Sequence, residues 1–108
     1  MRRDEAFPGK FLKAADVKET PLIAVISYVE KEKVGQGSDQ KEKPVMYFQD
    51  ADKPMVVNST NWDTLAEAYG EDSDGWSGCK IKVYSAPTQY QGKRTEGLRV
   101  SAFKESNA

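Results

Sequence analysis

Residues 21–30 (PLIAVISYVE) are apolar at almost every position, rich in β-branched and aromatic side chains, and headed by a proline. That composition and length predict a buried strand. Residues 31–43 (KEKVGQGSDQKEK) are polar, with two glycines and a Ser-Asp pair, and predict a long loop or the splayed tip of a hairpin. Residues 44–49 (PVMYFQ) predict a second strand, residues 50–54 a turn, and residues 55–58 (MVVN) a third strand.

The hydrophobic period then changes. Trp62, Leu65, Ala66 and Tyr69 recur at i, i+3, i+4 and i+7, one stripe of an α-helix over residues 59–69. Thr60 followed by Asp63 resembles a capping box at its start, and Gly70 stands where a left-handed cap ends a helix. Residues 71–78 (EDSDGWSG) read as a loop. In residues 79–85, Cys79, Ile81 and Val83 alternate with Lys80, Lys82 and Tyr84, and in residues 97–103, Leu98, Val100 and Ala102 alternate with Arg99, Ser101 and Phe103. Two strands joined by a turn at Gln91-Gly92-Lys93 follow from this period of two. The resulting order, β-β-β-α-β-β, is that of a five-stranded OB-like barrel, mainly β, with one helix plugging an end. Its rival is a small α+β sandwich with the helix across an open sheet. Before the first strand, Phe7-Pro8-Gly9 signals a turn, and Phe11, Leu12 and Val17 anchor an irregular or single-turn segment over residues 10–16. The expected organisation is a flexible N-terminus (1–10), one OB-like domain (11–104) and a tail (105–108).

At 108 residues the chain is the size of one domain. Its apolar share is modest at 38%, but eleven aromatics and a net charge of −1 argue for a small folded core rather than disorder. There is no histidine, which removes Ser-His-Asp and Cys-His catalysis. The single cysteine, Cys79, can make neither an internal disulfide nor a cysteine-rich zinc site, and the alternation makes it a buried structural thiol. No apolar run reaches the length of a membrane span, and no apolar signal core follows the first residues, so a cytoplasmic protein away from membranes is expected.

Charge is distributed by element. Residues 1–61 are neutral, residues 62–78 carry five acids and no base, and residues 79–108 carry six bases against two acids. Asp72, Asp74 and Gly75 resemble part of a calcium loop, but aligning Gly75 with the loop glycine puts Gly70 and Ile81 at end positions that need oxygen-bearing side chains. No metal and no other cofactor is expected. Asn58, Ser59, Thr60 and Asn61 are helix-capping residues rather than an anion site, since Asp63 would repel a phosphate there. Trp76 is expected to cover one end of the barrel.

The basic C-terminal third carries the candidate chemistry. Lys80, Lys82 and Tyr84 on one strand and Arg99 and Phe103 on its neighbour share a face, with Lys93 and Arg94 at the hairpin tip. Single-stranded nucleic-acid binders pair such a positive groove with aromatic stacking platforms. Tyr84 and Tyr90 are the candidate platforms here, with Tyr28, Tyr47 or Phe48 on the earlier strands. The opposing reading is a solvated outer face whose lysines serve solubility.

A resemblance spans residues 7–100. Phe7-Pro8, Phe11-Leu12-Lys13-Ala14 and Asp16, Lys43-Pro44-Val45, Tyr47-Phe48, Val57-Asn58, Thr60-Asn61, Leu65-Ala66, Tyr69-Gly70, Trp76, Gly78, Gly92-Lys93 and Leu98-Arg99-Val100 form a pattern. It resembles a family of small, largely uncharacterised proteins encoded by bacteriophages and prophages, from which the chain departs at Cys79. The resemblance implies a phage-encoded protein acting in the cytoplasm of a bacterial host. The expected function is non-enzymatic: single-stranded DNA binding in phage replication or recombination. Phosphates would be neutralised by Lys80, Lys82, Lys93, Arg94 and Arg99, and bases stacked on Tyr84, Tyr90 and Tyr47. The alternative is a protein-binding module, such as an inhibitor of a host enzyme or defence system, whose acidic surface over residues 63–74 suits a basic partner.

Overall fold

The computed structural model describes residues 11–34, 41–90 and 92–103, leaving aside the side chains of Tyr90 and Lys93. The expected loose N-terminus and tail lie outside the described residues. A 3-10 turn (Ala14–Val17) leads into β1 (Leu22–Val34), β2 (Lys41–Phe48) and β3 (Met55–Val56). The helix α1 (Ser59–Tyr69), a second 3-10 turn (Ser73–Trp76), β4 (Lys80–Tyr90) and β5 (Lys93–Ala102) follow. The strands form one antiparallel sheet in the order β3-β2-β1-β4-β5. The protein is mainly β with one α-helix, as the periodicity predicts. Among the described residues β3 and β5 do not pair, so the sheet stays open at that seam.

β1 is the shared strand. Its first part pairs with β4, from Leu22 opposite Val83 to Val25 opposite Lys80. Its second part pairs with β2, from Ile26 opposite Phe48 to Val34 opposite Lys41, with a register shift between Ile26 and Tyr28. That bulge adds a residue on β1 and bends it from one ladder into the other. The unbroken apolar run hides an alternation: Ala24 and Ile26 are fully buried, while Ile23 is 40% and Tyr28 47% exposed.

Both hairpins run further than the apolar pattern suggests. In the arm of β1 and β2, Glu32 stands opposite Lys43 and Lys33 opposite Glu42. Opposite charges directly across a ladder stabilise it, so a segment that reads as loop continues as strand. In the arm of β4 and β5, pairing continues to Tyr90 opposite Lys93. Pro87 is tolerated because its backbone faces away from β5. Phe103 N–H donates to Lys80 C=O (3.0 Å), so even-numbered residues of β4 face β5 and Pro87 faces the side that β1 no longer occupies.

Ile26, Met46, Met55, Leu65, Trp76, Ile81 and Val83 are fully buried in one cluster with Ala24, Phe48, Val57 and Val100. Trp62 of the helix stripe and Leu98 of the β5 alternation pack against this cluster half-buried. The better-covered indole is Trp76, whose Nε1 donates to Gly70 C=O (2.8 Å) and whose ring lies 4.6 Å from that of Trp62. The helix start also differs from the Thr60/Asp63 expectation. Asn58 is the cap, its Oδ1 accepting from Asn61 N–H (2.8 Å). At the other end Gly70 has φ 106° and ψ 159°, so the chain leaves extended rather than left-handed helical, still through a positive φ that favours glycine.

The seam is filled from the helix side. Asn61 is 1% exposed and its Nδ2 donates to Leu98 C=O on β5 (3.1 Å). The opening segment is tied down by Leu12 N–H to Pro54 C=O (2.8 Å) and by Lys53 with Asp16 (3.7 Å), and its turn lies against β4 and β5. Among the described residues, no helix is long and apolar enough to cross a membrane.

Leu65 fills the contact between α1 and the sheet, so Leu65→Ala should destabilise the fold by about 2–5 kcal/mol in urea unfolding. Leu98→Ala, at the half-buried edge of the sheet, should cost less than Leu65→Ala in the same measurement.

Candidate functional site

The register of β4 and β5 decides which side chains share a face. Directly opposed residues project to the same side. Lys80 is level with Phe103, Lys82 with Ser101 and Tyr84 with Arg99. Lys80, Lys82, Tyr84, Arg99 and Phe103 therefore gather on the side away from the Ile81–Val83–Val100 core, as the alternation predicts. Lys80 Nζ stands 5.3 Å from the Phe103 ring centroid, and Lys82 Nζ 5.8 Å from that of Tyr84. Each ammonium thus sits against an aromatic face, an attraction of about 0.5–1 kcal/mol at exposed sites. Phe103 is 40% exposed.

Arg99 is drawn along the strand. Its Nη1 donates to Leu98 C=O (3.0 Å) and its Nη2 to Thr88 Oγ1 (3.4 Å). Gly97 makes room for this arrangement, since a Cβ there would come within 2.7 Å of Thr88 Cγ2. The ladder to β1 adds two apolar residues to the same face that sequence reasoning missed: Ile23 opposite Lys82 and Val25 opposite Lys80. Alternation within the 21–30 run was the signal, masked by every position being apolar.

Arg94 does not join this group. It stands opposite Gln89, so its side chain projects to the other side of the arm and is exposed. Tyr90 and Lys93 stand opposite one another in register, but their side chains lie outside those described. Phe48 is excluded as a platform because it is buried in the core at 8% exposure. Tyr47 and Tyr28 stack on the outer face of β1 and β2, ring centroids 4.6 Å apart and 15° from parallel. Tyr47 Oη donates to the Glu32 carboxylate, which fixes the inner ring and leaves Tyr28 as the outer one.

Asp63, Glu67, Glu71, Asp72 and Asp74 are all exposed along the helix and the following loop. Asp72 Oδ1 caps the second 3-10 turn by accepting from Asp74 N–H (2.9 Å). Among the described residues, no cluster of His, Cys, Asp or Glu could hold a metal ion. Cys79 is half-buried, its Sγ 3.8 Å from Gly75 C=O.

No protein-family model, curated protein or solved structure matches the chain.

Tyr69 anchors the end of the helix beneath the basic face, its Oη donating to Lys80 C=O (2.8 Å). Burial pushes its phenol above the ordinary value, and the neighbouring Cys79 adds to the rise, against a lowering backbone hydrogen bond from Phe103. The folded state thus keeps a proton that the unfolded chain releases near pH 10. Stability from this group is complete below that pH and declines above it. Tyr69→Phe should cost about 1 kcal/mol at pH 7 through the lost hydrogen bond. The gap between variant and wild type should narrow as urea unfolding is repeated above pH 10.

Proposed function

We propose that the outer face of β1, β4 and β5 binds single-stranded nucleic acid. The observation that carries this reading is the register that brings Lys80, Lys82, Tyr84, Arg99 and Phe103 to one side. Cations interleaved with aromatic rings on one strand pair suit a phosphate backbone with splayed bases. The ammonium groups neutralise phosphates, and bases stack on ring faces for about 1–3 kcal/mol each. The Tyr28–Tyr47 stack, on the outer face of the second ladder of β1, extends the platform past the bulge.

The same reading takes the fold as an OB-like barrel. An OB barrel unrolled between its third and fifth strands has the order found here, and its helix also lies between the third and fourth strands. In this reading α1 fills the seam through Asn61 in place of a ladder between β3 and β5. OB-folds bind along a face flanked by the loops that join strands one to two and four to five, and here those are the two extended hairpins. With the resemblance to phage-encoded proteins, the substrate is single-stranded DNA exposed during phage replication or recombination in a bacterial cytoplasm. Lys80, Lys82 and Arg99 supply the charge and Tyr84, Phe103 and Tyr28 the stacking. Arg94, on the other side of the arm, drops out of this set.

Binding to oligo-dT, followed by fluorescence anisotropy, should weaken with salt at a slope of about −2 on logarithmic axes, for three phosphates neutralised on a single strand. Lys80→Ala with Lys82→Ala should flatten that slope by about 1.4. Tyr84→Ala should lower affinity and leave the slope nearly unchanged, because stacking releases few counterions. No binding at low salt with micromolar protein would overturn the proposal. It would turn attention to the exposed acidic surface of α1 and the loop after it as a docking site for a basic protein.

A further inference from the structure

The free edge of β5 remains after the binding face has been assigned, and Arg94 lies on it. β5 is the last strand of the sheet, and among the described residues no strand pairs with its outer side. Which backbone groups point outward follows from one bond. Phe103 N–H donates to Lys80 C=O, so odd-numbered residues of β5 face β4 and even-numbered ones face the edge. Leu98 agrees: its C=O accepts from the Asn61 side chain beyond the edge. Asn61 and the helix cover the edge at Leu98, so the stretch that no other described strand or helix covers is residues 93–97, with Thr95 at its centre. The outward N–H and C=O groups there belong to Arg94 and Glu96, and Arg94, Thr95 and Glu96 are all exposed.

We infer that this edge pairs with the same edge of a second copy of the chain, antiparallel about a two-fold axis through Thr95. In that register Arg94 of each copy lies opposite Glu96 of the other. Each such pair exchanges both backbone hydrogen bonds and sets opposite charges side by side. Sliding the ladder one step in either direction puts Arg94 opposite Arg94 or Glu96 opposite Glu96, which repel. The limit set by α1 and the sign of the charges thus select the same register.

Charged residues on an edge strand usually discourage pairing with other chains. Here the two charges have opposite sign and stand symmetrically about the centre of the open stretch, which makes the edge complementary to itself, as an isologous interface requires. Glu96 is also held for the purpose, its Oε2 accepting from Ser85 Oγ (2.8 Å). An open depression of about 220 Å³ lined by Pro87, Arg94, Thr95 and Glu96 lies beside it, where the arginine of the second copy would enter. The axis runs perpendicular to the sheet, so the dimer continues one sheet through β4 and β5 of both copies. The Lys80–Tyr84–Arg99 faces then lie on the same side.

The interface is short, so association is weak and depends on concentration. Sedimentation equilibrium from about 10 μM to about 1 mM should show a monomer–dimer equilibrium. Arg94→Glu alone, or Glu96→Arg alone, should weaken it by about tenfold or more, and the double exchange R94E/E96R should restore it. Glu96→Pro removes an edge-facing N–H together with the carboxylate, breaks no backbone bond of the β4–β5 ladder, and should give a monomer whose far-UV circular dichroism matches wild type. A wild type that stays monomeric throughout, single variants that dimerise as tightly as wild type, a double exchange that stays monomeric, or a Glu96→Pro variant that still dimerises would each overturn the inference. None of these readouts involves nucleic acid, so the result is independent of the proposed ligand.

Discussion

β1 carries two ladders, and the rest of the molecule is arranged around that division of labour. Up to Val25 it is bonded to β4, and beyond Ile26 to β2. At the changeover the backbone is held from both sides: Ile26 N–H donates to Cys79 C=O and Gly78 N–H to Ile26 C=O, while Gln49 N–H donates to Val25 C=O. The Val25 N–H is taken by the side chain of Asp50 (3.0 Å). A strand bent at this point wraps one face inward around Trp76 and Leu65 and turns the other outward. Burial of the inner face supplies the main driving force, about 1.5–3 kcal/mol for each fully covered large aliphatic side chain.

The outer face inherits its chemistry from the same bend. Because β1 carries apolar residues inward on both sides of the bulge, its outward positions Ile23 and Val25 lie beside Lys82 and Lys80 of β4, and Tyr28 faces outward beside Tyr47 past the bulge. The face is therefore an apolar and aromatic surface studded with cations. Lys80 and Lys82 cover part of it by lying over Phe103 and Tyr84, which lowers the cost of leaving rings exposed to water.

The elements legible in the sequence were those whose packing writes a period. The stripe Trp62, Leu65, Ala66, Tyr69 marks the helix, and strict alternation marks Ile81–Val83 and Leu98–Val100, because each buries one face. The arms were illegible for the same reason: beyond Ser85 and before Gly97 neither face of the β4–β5 ladder meets the core, so no apolar period appears. Arg94 shows the consequence. Its position beside the turn suggested the basic group, but continuing the Arg99 alternation back through Gly97 and Thr95 assigns it to the opposite side. Trp76 left no periodic signal because its burial depends on a single turn between α1 and β4. The pairing of β1 with β4 is written in no local pattern, since it joins residues far apart in the chain.

That distant pairing governs the order in which the molecule can be assembled. The β1–β2 hairpin is local and can close as soon as residue 48 has been made. Leu22 and Ala24 have to wait for Val83 and Ile81. During synthesis at about 5–20 residues per second, the inward side of β1 stays uncovered for about a few seconds after its own hairpin has formed. The nascent chain passes through that interval with a half-built sheet whose apolar edge is open to other chains.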